Sequence, residues 1–229
     1  MRALYLGIFL AAFFSYKADA GMSREAVEAV LDERDQCEQV LRDVERIRNT
    51  QKLMTCMDFY FNNPMLDPEP ASFNAIIRIG YRILELEPTN VPLYGNVSWM
   101  LWSKWANWKR DPSSMPDGEA KLQEAITLLE NGARRNPHSA DFFVEAGNTL
   151  APIIFNHDTS VAPHAIDWYQ RADGLLSLRD TRKVRVRLNL GHIFRKVDRI
   201  SEARESYESV LRIDPKNKVA LRALEQLKP

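Results

Sequence analysis

One cadence recurs along this 229-residue chain and limits what it can fold into. A small residue is followed by a bulky one four positions on and by a helix terminator eight positions beyond: Ala203, Tyr207 and Pro215; Ala165, Tyr169 and Ser177; Ala125, Leu129 and Pro137. A degenerate copy, Ile76, Gly80 and Pro88, lies upstream. Residues four apart share one face of an α-helix, and the proline or turn residue ends it. Repetition at this period marks a chain made of one short helical unit, which buries its apolar face only by stacking on copies of itself. Only 9 glycines and 12 prolines, among long runs rich in Ala, Leu, Glu and Arg, favour helices over a turn-rich β fold.

The last copy is the fullest. Leu190-Gly191 is followed by Phe194, then by Ala203, Tyr207 and Pro215, and residues 184–217 span the usual 34 of the tetratricopeptide repeat (TPR), which they resemble. The resemblance implies an all-α, right-handed helical-hairpin solenoid (α-α superhelix) of about four repeats, with an added N-terminal helix and a C-terminal capping helix. Successive terminators at 88, 137, 177 and 215 lie 49, 40 and 38 residues apart, so each interval carries an insertion. Asp111-Pro112-Ser113-Ser114-Met115-Pro116-Asp117-Gly118 and Asn156-His157-Asp158-Thr159-Ser160 are the loop-forming stretches that absorb the first two.

This places a TPR-like repeat domain at 71–229 and an N-terminal helical region at 21–70. Ser23 is a candidate N-cap for a helix carrying Val27, Val30, Leu31, Val40, Leu41, Val44 and Ile47 at helical spacing. That helix packs either as a cap or in a coiled coil, and Arg34 interrupts its stripe. Leu53 to Phe61, ended by Asn62-Asn63-Pro64, reads as the first helix of the degenerate repeat, and Phe73 to Leu86 as its second. Val219 to Leu227 reads as the cap, with Leu221, Leu224 and Leu227 inward and Arg222, Glu225 and Lys228 outward.

The first twenty residues read as an address. Arg2 precedes an apolar run from Ala3 to Phe14, and Ala18-Asp19-Ala20 has the small-x-small form of a signal-peptidase site. Twelve residues rise only about 18 Å as a helix, short of a bilayer core of roughly 30 Å, so cleavage after Ala20 is expected rather than a membrane anchor. The expected destination is a bacterial periplasm, with secretion or the lumen of a secretory pathway as the alternative. Cys37 and Cys56 fit an oxidising compartment, where they form a disulfide or, equally compatible with the spacing, two buried thiols.

Charge balances at 31 basic against 31 acidic residues, which argues against nucleic-acid or anionic-membrane binding through overall charge. The chain has no His-Glu-x-x-His, no phosphate-binding Gly-rich loop with Lys, no Gly-x-Ser-x-Gly and no Cys-x-x-Cys-His, so no catalytic residue, cofactor or metal is assigned and an enzyme is not expected. His157, Asp158 and His164 form the one cluster with metal-ligand chemistry, and their spacing matches no strong template. The sequon Asn96-Val97-Ser98 falls inside an expected helix.

Two features point to binding instead. Trp99, Trp102, Trp105 and Trp108 step by three, so on a helix they cannot all face one core. From Arg179 to Arg199 eight basic residues oppose Asp180 and Asp198, a local charge of +6. Within that stretch Arg185, Asn189, His192 and Lys196 share one helix face. By the resemblance, the first helix of each pair lines a concave groove, which makes Trp99, Trp102, Asn148, Arg185, Asn189, His192 and Lys196 the candidate binding residues for a protein or peptide partner. Arg185 and Lys196 would pair with a carboxylate or acidic peptide, and Asn189 and His192 would donate hydrogen bonds. The Lys, Asn and Arg set of the family's carboxylate clamps is not reproduced, since the matching faces carry Asp141, Glu145 and Asn148, then Gly95, Asn96 and Trp99. The other expectation is a small-ligand receptor with a pocket near the tryptophan-rich helix.

Overall fold

The computed structural model describes residues 24–62 and 69–227. The signal-like residues 1–20, the candidate cap Ser23, the stop at Asn63-Pro64 and Lys228 lie outside the described residues. Among the described residues there are ten α-helices, two short 3-10 turns and no strand. The chain divides after Arg42 into two compact units. The first contains α1 (Arg24–Arg42), in which Arg34 Nε donates to Glu38 Oε1 one turn on, at 2.9 Å.

The second unit holds α2 (Thr50–Asn62), α3 (Glu69–Leu86), α4 (Val91–Arg110), α5 (Lys121–Arg135), α6 (Ala140–Asn156), α7 (Ala162–Leu175), α8 (Thr181–Lys196), α9 (Ile200–Ile213) and α10 (Lys218–Gln226). They pack as four consecutive hairpins, α2 with α3, α4 with α5, α6 with α7 and α8 with α9, and α10 closes the array on α9. Neighbouring hairpins meet through their first helices, α4 on α6 and α6 on α8, and each second helix also touches the first helix that follows it. This is a TPR-like helical-hairpin solenoid, and the degenerate opening copy is a full hairpin within it.

The cadence works by matching small to large. Ala125, Ala165 and Ala203 are fully buried where the two helices of a hairpin approach, and so are their bulky followers Leu129, Tyr169 and Tyr207. Gly147 lies under the Tyr169 ring and Gly191 under the Tyr207 ring; a Cβ on either would come within 2.7 and 2.5 Å of ring carbons. In the second hairpin Ser98 takes the glycine's place, and its buried hydroxyl donates to the Ala125 carbonyl at 3.4 Å.

Capping follows the sequence. Ser139, Asp180 and Asn217 accept from the backbone N–H groups of Phe142, Arg182 and Ala220 at the starts of α6, α8 and α10. The turn between α8 and α9 needs a left-handed residue, which Asp198 supplies at φ 58°. The capping helix differs from expectation. Ala220 and Ala223 face inward with Leu227, whereas Leu221 and Val219 are exposed, because the face that packs on α9 is the one carrying the two small alanines at i and i+3 and Leu227 at i+7. Among the described residues no helix is long and apolar enough to cross a membrane.

Candidate binding face on α4, α6 and α8

The tryptophans of α4 divide by the turn of the helix. Trp102 and Trp105 are buried, and Trp99 and Trp108 are half-buried. The Trp99 ring meets the Trp102 ring edge-on, with centroids 6.4 Å apart, and His157 packs its ring 6.2 Å from both Trp102 and Trp105. The insertion after α4 folds back over Trp108: Met115 is buried, and Gly118 sits so close that a Cβ there would lie 2.4 Å from Trp108 Cβ. A buried lysine pins this loop. Lys104 Nζ donates to Asp117 Oδ2 at 2.6 Å and to Asn74 Oδ1 at 2.7 Å, and it holds the Asp117 carboxylate below its ordinary range against the opposing effect of burial. Trp99 is thus the half-buried member of the quartet that the insertion leaves uncovered, while Trp102, 8% exposed, packs beside it with no hydrogen-bond partner for its indole N–H among the described residues.

Most of the basic strip is spent inside the fold. Lys183 is buried and donates to the carbonyls of Asp173 and Leu176, closing the C-terminus of α7. Arg187 binds Asp173 at 2.8 Å and the Ser209 carbonyl, Arg182 binds Asp180 and Asp141, Arg195 binds Gln226, and Arg199 binds Glu202. Arg185 and Lys196 are exposed and make no hydrogen bond or ion pair among the described residues. Among the described residues the strip therefore offers three unpaired cations, Arg179 in the turn before α8 and Arg185 and Lys196 on α8, rather than a field of +6.

Asn148, Asn189 and His192 belong to a polar relay with the hairpin tyrosines. Tyr169 Oη donates to Asn148 Oδ1 at 2.8 Å and accepts from Asn189 Nδ2 at 3.0 Å, which joins α6, α7 and α8. One repeat on, Tyr207 Oη lies 2.8 Å from His192 Nδ1. Burial, helped by the charge of Arg195, pushes the His192 pKa down, so the ring is neutral at pH 7. Burial pushes the Tyr169 hydroxyl well up, and it stays a donor at all ordinary pH. Asn189 and His192 each have one polar atom committed to this relay. The sequence reading missed the tyrosines because they stand on second helices, twenty and fifteen residues from their partners, and the cadence had already explained them as packing.

Glu145, which the sequence marks only as a departure from the clamp pattern, has a place of its own in the structure. It leans from α6 onto α4, where a Cβ on Gly95 would lie 2.4 Å from its Oε1. Its carboxylate receives no hydrogen bond among the described residues, and burial raises its pKa, opposed by the charge of Arg185.

The metal-like trio comes apart. His157 packs between tryptophans, Asp158 accepts from Ser160 N at 2.8 Å to start the 3-10 turn Thr159–Val161, and His164 faces Glu130 and Trp168. Among the described residues no three metal-ligating side chains come together. Cys37 and Cys56 are both buried, and neither is a free thiol. Two recesses open on the surface. One of about 430 Å³ lies among Glu130, Arg134, His164, Asp167 and Arg171; the other, of about 360 Å³, among Lys109, Phe155, His157, Asp158 and Lys196.

No family model matches the chain, and no curated protein matches it. Among solved structures it is similar to a thermophilic TPR protein from Thermus thermophilus, at 17% sequence identity and a TM-score of 0.47, over 85% of this chain and 98% of that one.

Proposed function

We propose that this chain is an exported, noncatalytic scaffold or adaptor that binds a protein or peptide along the exposed face of α4, α6 and α8. Stacked hairpins hold those three helices side by side, so a partner meets a surface already ordered and little conformational entropy is lost on the receptor side. The observation that carries the reading is the contrast within the basic strip. Arg182, Lys183, Arg187, Arg195 and Arg199 all have partners within the chain, whereas Arg185 and Lys196, exposed on α8, and Arg179, exposed in the turn before it, have none among the described residues. Asn148, Asn189 and His192 lie beside them with further donor and acceptor capacity, and Trp99 adds an aromatic surface of the kind that concentrates binding energy.

The test is a pull-down from envelope or secretory extract with the protein from Gly21 onward, alongside Arg185→Ala/Lys196→Ala, with retained proteins identified by mass spectrometry. A partner held by the wild type and lost by the folded variant is the expected result. Retention of nothing above background removes the scaffold reading. Export is tested by fractionation and N-terminal sequencing, which should find a mature chain beginning at Gly21.

The recess of about 360 Å³ supports a second reading, a small-ligand receptor, because it is walled by the same His157 that packs on Trp102 and Trp105. A ligand held there would change tryptophan fluorescence in a saturable way, and a screen that finds none argues against it.

A further inference from the structure

Two locally unfavourable choices coincide in the wall between α4 and α6. Gly95 stands in the interior of a twenty-residue helix, where glycine weakens a helix relative to alanine. The space left by its missing side chain is filled by the Glu145 carboxylate, whose Oε1, Cγ and Cδ all lie within 3.1 Å of where a Cβ would be. Glu145 is half-buried, yet no donor reaches its carboxylate among the described residues. A carboxylate withdrawn from water without a hydrogen bond is disfavoured, and chains break local rules of this kind at sites that a ligand completes.

The surroundings define the chemistry of that ligand. Trp99, one turn along α4 from Gly95 and half-buried, presents an aromatic ring on the same helix face. Asn148, on the next turn of α6, already has its carbonyl oxygen occupied by Tyr169. Among the described residues the one cation whose charge acts on Glu145 is Arg185 on α8, the neighbour of α6 on the side opposite α4, and it makes no hydrogen bond or ion pair with the carboxylate. An acceptor without a donor, beside an aromatic ring, matches a positively charged group, which pairs with the carboxylate and lies against the indole.

We infer that the notch of Gly95, Trp99 and Glu145 is a subsite for one cationic side chain, lysine or arginine, of a protein segment laid along α4, α6 and α8. The inference rests on the binding face proposed above and adds the opposite charge to it. A segment that also places an acidic residue against Arg185 or Lys196 satisfies both ends, so the partner carries mixed charge rather than a uniformly acidic tail.

The test uses the mature protein and two fluorescein-labelled peptides, one of alternating lysine and alanine and one of alternating glutamate and alanine, titrated by anisotropy at low ionic strength, where charge pairing is least screened. The lysine peptide is expected to bind saturably and to weaken by at least about tenfold in Glu145→Gln. It should weaken also in Trp99→Ala, and the glutamate peptide should not weaken in Glu145→Gln. Circular dichroism establishes that each variant is folded. Absence of saturable binding of the lysine peptide, or an affinity unchanged in Glu145→Gln, overturns the subsite. Glu145→Gln is also carried through the pull-down. A partner that this variant retains and Arg185→Ala/Lys196→Ala loses leaves the binding face standing and overturns the cation subsite. Glu145-dependent binding of the lysine peptide, with no partner retained by the wild type, supports the subsite and overturns the scaffold.

Discussion

Gly191 lies beneath the ring of Tyr207 with no room for a methyl group, since a Cβ would stand 2.5 Å from the ring. The same relation holds one repeat earlier between Gly147 and Tyr169, at 2.7 Å. Gly191→Ala gains up to about 1 kcal/mol of helix propensity but overpacks the hairpin by about 1–3 kcal/mol. A net loss of about 1 kcal/mol in urea denaturation is the expected outcome. Gly174, near the end of α7, has nothing within 4 Å of its would-be Cβ among the described residues, and there Gly174→Ala should stabilise by about 0.5 kcal/mol.

Lys104 is fully buried and ties Asn74 on α3 to Asp117 in the loop after α4. Lys104→Met removes the charge and leaves Asp117 without its partner. Because Asp117 is partly exposed, a loss of about 2 kcal/mol is expected rather than that of a wholly buried pair. Limited proteolysis should show new cleavage between Asp111 and Gly118. Unchanged protection of that loop would mean that Met115 and Gly118 hold it without the ion pair.

Glu145 and Asp180 should push stability in opposite directions with pH. Burial raises the Glu145 pKa, so the folded state favours the protonated form, and its contribution is fully present below the ordinary glutamate range and lost as pH rises through the raised value. Glu145→Gln should accordingly be more stable than wild type at pH 7, with the difference vanishing near pH 4. The Arg182 side chain and backbone N–H pull Asp180 down to about 2, so its contribution is present above the ordinary value of 3.8 and lost as pH falls towards 2. Thermal midpoints between pH 2 and 5 should fall more for wild type than for Asp180→Asn, which keeps the capping oxygen but cannot titrate.

Neither cysteine is a free thiol, and this can be counted directly. Mature protein unfolded without reductant should show no reactive thiol with a chromogenic disulfide reagent and two after reduction. Cys37→Ser should leave Cys56 titratable before reduction. Two reactive thiols in protein isolated from the envelope would argue against an oxidising destination.

Asp198 holds a left-handed conformation that glycine adopts without strain. Asp198→Gly is expected to stabilise the turn between α8 and α9 by about 0.5 kcal/mol, measured by denaturant midpoint.

The repeat was readable because its causes are local. Ala203 and Tyr207 meet within one helix turn, Gly191 and Phe194 mark the facing helix, and Pro215 ends the unit, so helix boundaries and hairpin pairing follow from spacing along the chain. The degenerate opening copy was readable for the same reason, although Ile76 and Gly80 depart from the small-then-bulky order. The face of the cap was misread because leucine spacing alone cannot show that α9 accepts the alanine face, Ala220 and Ala223, rather than Leu221.

By itself the sequence determined the helical units, their number and the buried face of the repeat helices, though not that of the cap, since these depend on i, i+4 neighbours and on the residues that stop a helix. Only the tertiary structure decided which polar groups remain for a partner. Asp141 meets Arg182 across 41 positions, Lys104 meets Asn74 across 30, and Asn189 meets Tyr169 across 20. Whether a charge is spent or free depends on such distant pairings, and the stacking of one hairpin on the next creates them: it consumes Lys183 and Arg187, and leaves Arg185, Lys196 and the carboxylate of Glu145 open.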